Sequence, residues 1–145
     1  MTQLDFSLNL PCNSEKLFYT LTDFENFNNY IPNQLQSVKV ISKENDKIIT
    51  EEKIRSVSIL KTEFEQKSYH IIKKNSLESE IISGPAKGTT IESIIQKSDS
   101  GTIVFVKINL KLELKYIIFT PLIKKIYKQM LTGILYKMNR DIENT

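Results

Sequence analysis

From Val104 to Leu114 every second residue is apolar: Val104, Val106, Ile108, Leu110, Leu112 and Leu114. Lys107, Asn109, Lys111 and Glu113 fall between them. Successive side chains of a strand point to opposite faces, so this run has one core face and one wet face. Such a sheet needs a cover. Pro121 suits the first turn of a helix. Beyond it Ile123, Ile126, Tyr127, Met130, Leu131, Ile134 and Met138 recur at spacings of three and four. At 100° per residue they form one broad stripe, with Lys124, Lys125 and Lys128 on the opposite side. The spacing predicts a helix of about 20 residues, or roughly 30 Å, which matches the span of a small sheet.

The chain before this pair reads as more of the same sheet. Leu4–Leu10 alternates as a half-buried strand and Pro11 ends it. Asn13 or Ser14 offers a helix cap, with Leu17, Phe18 and Leu21 at helical spacing behind it. Asp23 offers a second cap, Phe24 and Phe27 share a face, and Pro32 stops that helix. From Leu35 the period becomes two. Val38 and Val40 mark a strand, and further strands are predicted over Ile48–Val57, Leu60–Ile72, Leu77–Ile82 and Thr89–Gln96. Turns fall at Glu44–Lys47, Lys73–Ser76 and Ser98–Gly101, and Ser83–Gly88 is a loop. Strands joined by tight turns pair antiparallel. The expected class is α+β: a curved antiparallel sheet of about seven strands around a long C-terminal helix, with two short helices after the first strand. One domain is expected over 1–145.

Composition narrows the function classes. A net charge of +3 over 145 residues is close to balanced, so no nucleic-acid partner is expected. The lone cysteine, Cys12, cannot form an internal disulfide, and the N-terminus lacks the pattern of a secretion signal. A cytoplasmic protein is expected. There is one histidine, His70, and no Cys-x-x-Cys or His-x-x-x-His, so no metal site or cofactor is expected. His70 reads as a surface or core residue.

Three stretches resemble the START-like, or helix-grip, superfamily, also called SRPBCC. Pro11–Asp23 looks like that family's strand-to-helix opening, with a small polar cap and an Asp starting the next helix. Phe24–Pro32 is similar to its aromatic second helix ending near Pro. Ser83-Gly84-Pro85, the Gly101-Thr102 turn and the Pro121 helix look like the polyketide cyclase and coenzyme Q-binding branch. Many relatives carry a Trp near the second helix and a bulky residue after Gly-Pro; this chain has no Trp, and Ala86 follows Pro85.

The resemblance implies an apolar ligand cavity between sheet and helix. Its lining is expected to include Phe27, Tyr30, Ile54, Phe64, Ile94, Val106, Ile108, Ile123, Tyr127, Met130 and Ile134. The bland alternative is that these residues are packed core. Glu51, Glu52, Arg55, Glu63, Glu65 and Glu92 are the charged candidates for acid–base work, Glu52 with Glu92 as the pair to examine, against a solvated outer face; no catalytic residue is assigned. Lys124, Lys125 and Lys128 read either as an ordinary wet helix face or as a weak, transient dock for anionic lipid headgroups. Gly133 is expected to admit close approach of the sheet. Three functions remain open: binding or transport of a hydrophobic small molecule (lipid, quinone or isoprenoid), a polyketide cyclase or aromatase-like enzyme, and a protein-interaction module.

Overall fold

The computed structural model describes residues 2–55 and 63–144. Seven strands form one antiparallel sheet in the order β1-β7-β6-β5-β4-β3-β2. They are β1 (Thr2–Leu10), β2 (Leu35–Glu44), β3 (Lys47–Ile54), β4 (Phe64–Ile72), β5 (Ser76–Ile81), β6 (Thr90–Ser98) and β7 (Gly101–Leu110). The sheet curves around the long helix α2 (Thr120–Glu143). After β1 the chain runs through helix α1 (Ser14–Leu21) and a 3-10 helix (Phe24–Asn29). It then enters β2 at the opposite edge and returns by hairpins until β7 pairs with β1.

Local chemistry sets several of these boundaries. The Asn13 side chain accepts from Lys16 N at 3.0 Å and caps α1. Asp23 does not cap the backbone; its carboxylate accepts from the Asn26 side chain at 2.7 Å. The second predicted helix is accordingly a short 3-10 turn. Asn45 takes a left-handed φ of 56° in the β2–β3 hairpin. Gly101 has φ +139°, and a Cβ there would stand 2.3 Å from Leu10 O, so glycine alone fits the turn into β7.

Two boundaries differ from the sequence pattern. The alternation continues to Leu114, but β7 ends at Leu110. Leu110 pairs with Thr2, and beyond it the Lys111 backbone bonds the Thr89 side chain instead of a strand backbone. Leu114–Phe119 forms a 3-10 helix instead. Strand β3 ends at Ile54 and β4 begins at Phe64. The parts of those predicted strands around Val57 and Leu60 lie outside the described residues.

The dry core sits at the β1–β7–β6 end. Leu10, Leu17, Val104, Val106, Ile108, Leu110 and Met138 belong to one buried cluster. Asn139 of α2 locks this end: its Oδ1 accepts from Cys12 N at 3.0 Å, and the Thr102 hydroxyl donates to Cys12 O at 2.8 Å. Cys12 is therefore fully buried, at 2% exposure. Among the described residues no helix is long and apolar enough to cross a membrane.

Candidate functional site: a cavity with a polar floor

The other end of the sheet is not filled. On β3 the inward positions are Ile48, Thr50, Glu52 and Ile54; on β4 they are Phe64, Gln66, Ser68 and His70. Polar residues therefore run across both strands: Thr50 and Glu52 on β3, and Gln66, Ser68 and His70 on β4. Ser79 and Ser93 continue the band on β5 and β6. Short polar side chains cannot fill the gap beneath α2, and a cavity of about 250 Å³ remains. Its walls are apolar: Phe24 and Phe27 from the 3-10 helix, and Ile123, Ile126, Met130 and Ile134 from α2. That combination, apolar walls with a few placed polar groups, is the usual composition of a small-molecule site, here just below the usual ~300–1,000 Å³ range.

The polar floor is ordered by its own hydrogen bonds. His70 Nε2 pairs with the Thr50 hydroxyl at 2.8 Å and Nδ1 with the Ser79 hydroxyl at 2.6 Å. Phe24 stacks on the imidazole, with ring centroids 4.2 Å apart. Burial lowers the His70 pKa to about 4, so the ring is neutral at pH 7. The Ser68 hydroxyl donates to Glu52 Oε1 at 2.5 Å, while Glu52 Oε2 is buried with no partner. Burial raises the Glu52 pKa to about 7, against the opposing pull of Ser68, Gln66 and Thr50. Tyr127 lines the cavity from α2; burial and then the charge of Glu52 push its phenol up to about 12.

A second, more open cleft of about 650 Å³ adjoins the cavity. Tyr30 and Asn33 from the loop before β2, and Gln129, Gly133, Lys137 and Arg140 from α2, line it. Ile31, Gln34, Ile126 and Met130 belong to both walls. The Lys137 ammonium donates to Asn29 O at 2.8 Å across the cleft. Gly133 corrects an expectation: no atom lies within 4 Å of where its Cβ would stand, so it widens the cleft rather than admitting the sheet. Gly133→Ala is expected to raise stability by about 1 kcal/mol, because alanine favours helix and meets nothing. A urea melt showing destabilisation would contradict this placement.

The sequence matches no protein-family model and no curated protein. Solved structures do share its architecture. TTHA0849 from Thermus thermophilus superposes with a TM-score of 0.83 at 12% identity, covering 99% of this chain and 98% of the other. A START superfamily protein from Mycobacterium smegmatis gives 0.80 at 12% identity, covering 98% and 97%. The Zhui aromatase/cyclase from a Streptomyces species gives 0.79 at 6% identity, covering 98% and 93%.

The chain has the START-like, helix-grip fold.

Within this START-like fold the expected lining residues separate into two groups. Phe27, Ile54, Phe64, Ile123, Tyr127, Met130 and Ile134 all line the cavity. Tyr30 lies in the adjoining cleft. Val106 and Ile108 are 1% exposed and belong to the dry core, because β7 lies beside β1 at the filled end. Ile94 pairs with Phe105 on the outer face; the inward residues of β6 are Ile91, Ser93 and Ile95. Of the charged candidates only Glu52 lines the cavity. Glu92 pairs with Lys107 on the outer face, so it does not meet Glu52. Arg55 instead holds the loop before β2, its Nε donating to Pro32 O at 3.1 Å. His70 is the residue sequence reasoning undervalued. The available signal was Phe64 and Ile72 bracketing Gln66, Ser68 and His70 at strand spacing, which places a polar patch inside an apolar face.

Proposed function

We propose that this chain binds and carries a hydrophobic small molecule in the cavity between the sheet and α2. The observation that carries the reading is the unfilled space itself, walled mostly by apolar side chains, with its polar groups gathered mainly along the sheet floor. Lipid, quinone or isoprenoid-like ligands match those walls. The fold shared with a START superfamily protein supports the same reading. The protein should bind an apolar fluorescent dye with a blue shift. Ile91→Trp, which places an indole in the cavity, should abolish that signal while the protein stays folded. An unchanged signal would place the dye elsewhere and count against the cavity.

A second reading is an acid–base enzyme of the cyclase kind, acting in the same cavity. It is favoured by Glu52, a carboxyl with a pKa of about 7 lining the cavity with Tyr127. A group titrating near the working pH can both take and return a proton. The shared fold of the Zhui aromatase/cyclase agrees with it. Under this reading Glu52→Gln would retain binding and lose turnover.

A membrane surface is the proposed place of exchange. Leu114 is 87% and Ile118 80% exposed, and Ile117, Phe119 and Leu122 stand exposed beside them. Lys115, Lys124 and Lys125 flank this tip, and no acid occurs between Tyr116 and Arg140. Lys128, expected to join them, instead has its ammonium 5.8 Å from the Phe6 ring centre. Apolar residues ringed by lysines suit an anionic bilayer interface, with about 1 kcal/mol per lysine near the surface. The protein should co-sediment with phosphatidylserine vesicles and much less with phosphatidylcholine ones. Ile118→Glu should weaken this at least about ten-fold. Absence of vesicle binding together with dimerisation through this tip would replace the membrane with a second copy of the chain.

A further inference from the structure

Glu52 carries a chemical instruction about what the cavity holds. Its Oε1 is occupied by the Ser68 hydroxyl. Its Oε2 is buried and unpaired. Both nitrogens of the neighbouring His70 are taken, by Thr50 and Ser79. Gln66 and Thr50 stand near enough to favour the ionised carboxylate, yet neither bonds Oε2. A buried polar atom left without a partner is costly and uncommon in native proteins. Glu52 lines the cavity, so a turn of its carboxylate brings that oxygen to the cavity's occupant.

The rest of the lining restricts that occupant. Ile31, Ile54, Phe64, Ile126 and Met130 surround the floor with hydrocarbon, so the molecule is apolar apart from its contact with the floor. Among small polar groups a hydroxyl both donates and accepts. It pairs with a carboxylate by donating and with a carboxylic acid by accepting. A ketone satisfies only the acid and an ammonium only the carboxylate. Both forms of Glu52 are present near pH 7, and of these three groups the hydroxyl alone keeps Oε2 paired through that titration. The groups titrating around it are Glu51, adjacent on β3, His70 from β4 and Tyr127 from α2.

We propose that Glu52 Oε2 anchors the hydroxyl group of a compact, otherwise apolar ligand. This rests on the cavity being a small-molecule site, and it adds the functional group that the site selects.

The test uses naphthol, methylnaphthalene and acetylnaphthalene, substituted at the same ring position, with binding followed by calorimetry. In the native protein naphthol affinity should stay within about two-fold between pH 6 and pH 8, while acetylnaphthalene affinity falls about ten-fold as Glu52 loses its proton. Glu52→Leu should lower the affinity of naphthol relative to methylnaphthalene by about ten-fold or more, a ratio that cancels the probes' own hydrophobicity. An unchanged ratio in Glu52→Leu, or equal pH dependence of the two oxygenated probes, would overturn the anchor while leaving the cavity reading intact. Failure of all three probes to bind the native protein would overturn both. The pH comparison needs no variant, so it decides the matter even if Glu52→Leu does not fold.

Discussion

Glu52→Gln is expected to stabilise the protein by about 2–3 kcal/mol at pH 8 and to leave stability nearly unchanged at pH 4.5. The reason is the burial of a carboxyl whose pKa rises from 4.5 in the open chain to about 7 when folded. Between those values the folded protein holds a proton that the unfolded chain has released. Folding is therefore progressively disfavoured as pH rises through that window, and the full penalty is present above it. Glutamine never ionises and escapes the penalty. The gain should appear as a rise in Tm of roughly 5–10 °C at pH 8.

His70 acts in the opposite sense. Its pKa falls from 6.5 to about 4 on folding, so stability is full above 6.5 and declines as pH drops towards 4. From about 4.5 to 6.5 the two slopes oppose each other in the native protein. In Glu52→Gln only the His70 slope remains, about 1.4 kcal/mol per pH unit. Denaturant melts across pH 4–8 read both effects together. Equal effects of Glu52→Gln at pH 4.5 and pH 8 would show that the carboxyl is not buried as described.

Met138→Ala and Met130→Ala should differ widely, although the two residues lie two turns apart on one helix. Met138 is 0% exposed and sits in the dry core. Its truncation leaves an unfillable hole and should cost about 2–5 kcal/mol. Met130 is half-buried and borders space that is already empty. Its truncation should cost about 1 kcal/mol or less and enlarge the cavity. Urea melts of both variants give the comparison, and equal costs would mean that the cavity end is packed as tightly as the core.

The same contrast explains how far the sequence could be read. The alternation from Val104 and the stripe from Ile123 are both strongly periodic, and they gave the sheet, the covering helix and the antiparallel order correctly. Periodicity assigns a residue to a face, however, and does not say whether that face is filled. Val106 and Ile108 point to the same side of the sheet as Ser68 and His70. Only the strand order, with β7 beside β1, separates packed core from cavity wall. Ile94 failed for a simpler reason: it is followed by Ile95, so two adjacent apolar residues left the face of β6 undetermined. The polar floor was obscured in β3, where Lys47, Thr50, Glu51, Glu52 and Lys53 put polar groups on both faces. Leu112 and Leu114 continued a strand pattern past Leu110, where β7 ends, and the exposed tip they lead into had no periodic signature.

Native mass spectrometry of the purified protein, followed by organic extraction and identification of what is bound, shows directly whether the cavity carries a ligand. The expected result is a stoichiometric, compact, apolar molecule bearing a hydroxyl group, lost in the Ile91→Trp variant. A protein that carries nothing, and that a panel of apolar alcohols and phenols does not stabilise, would contradict it.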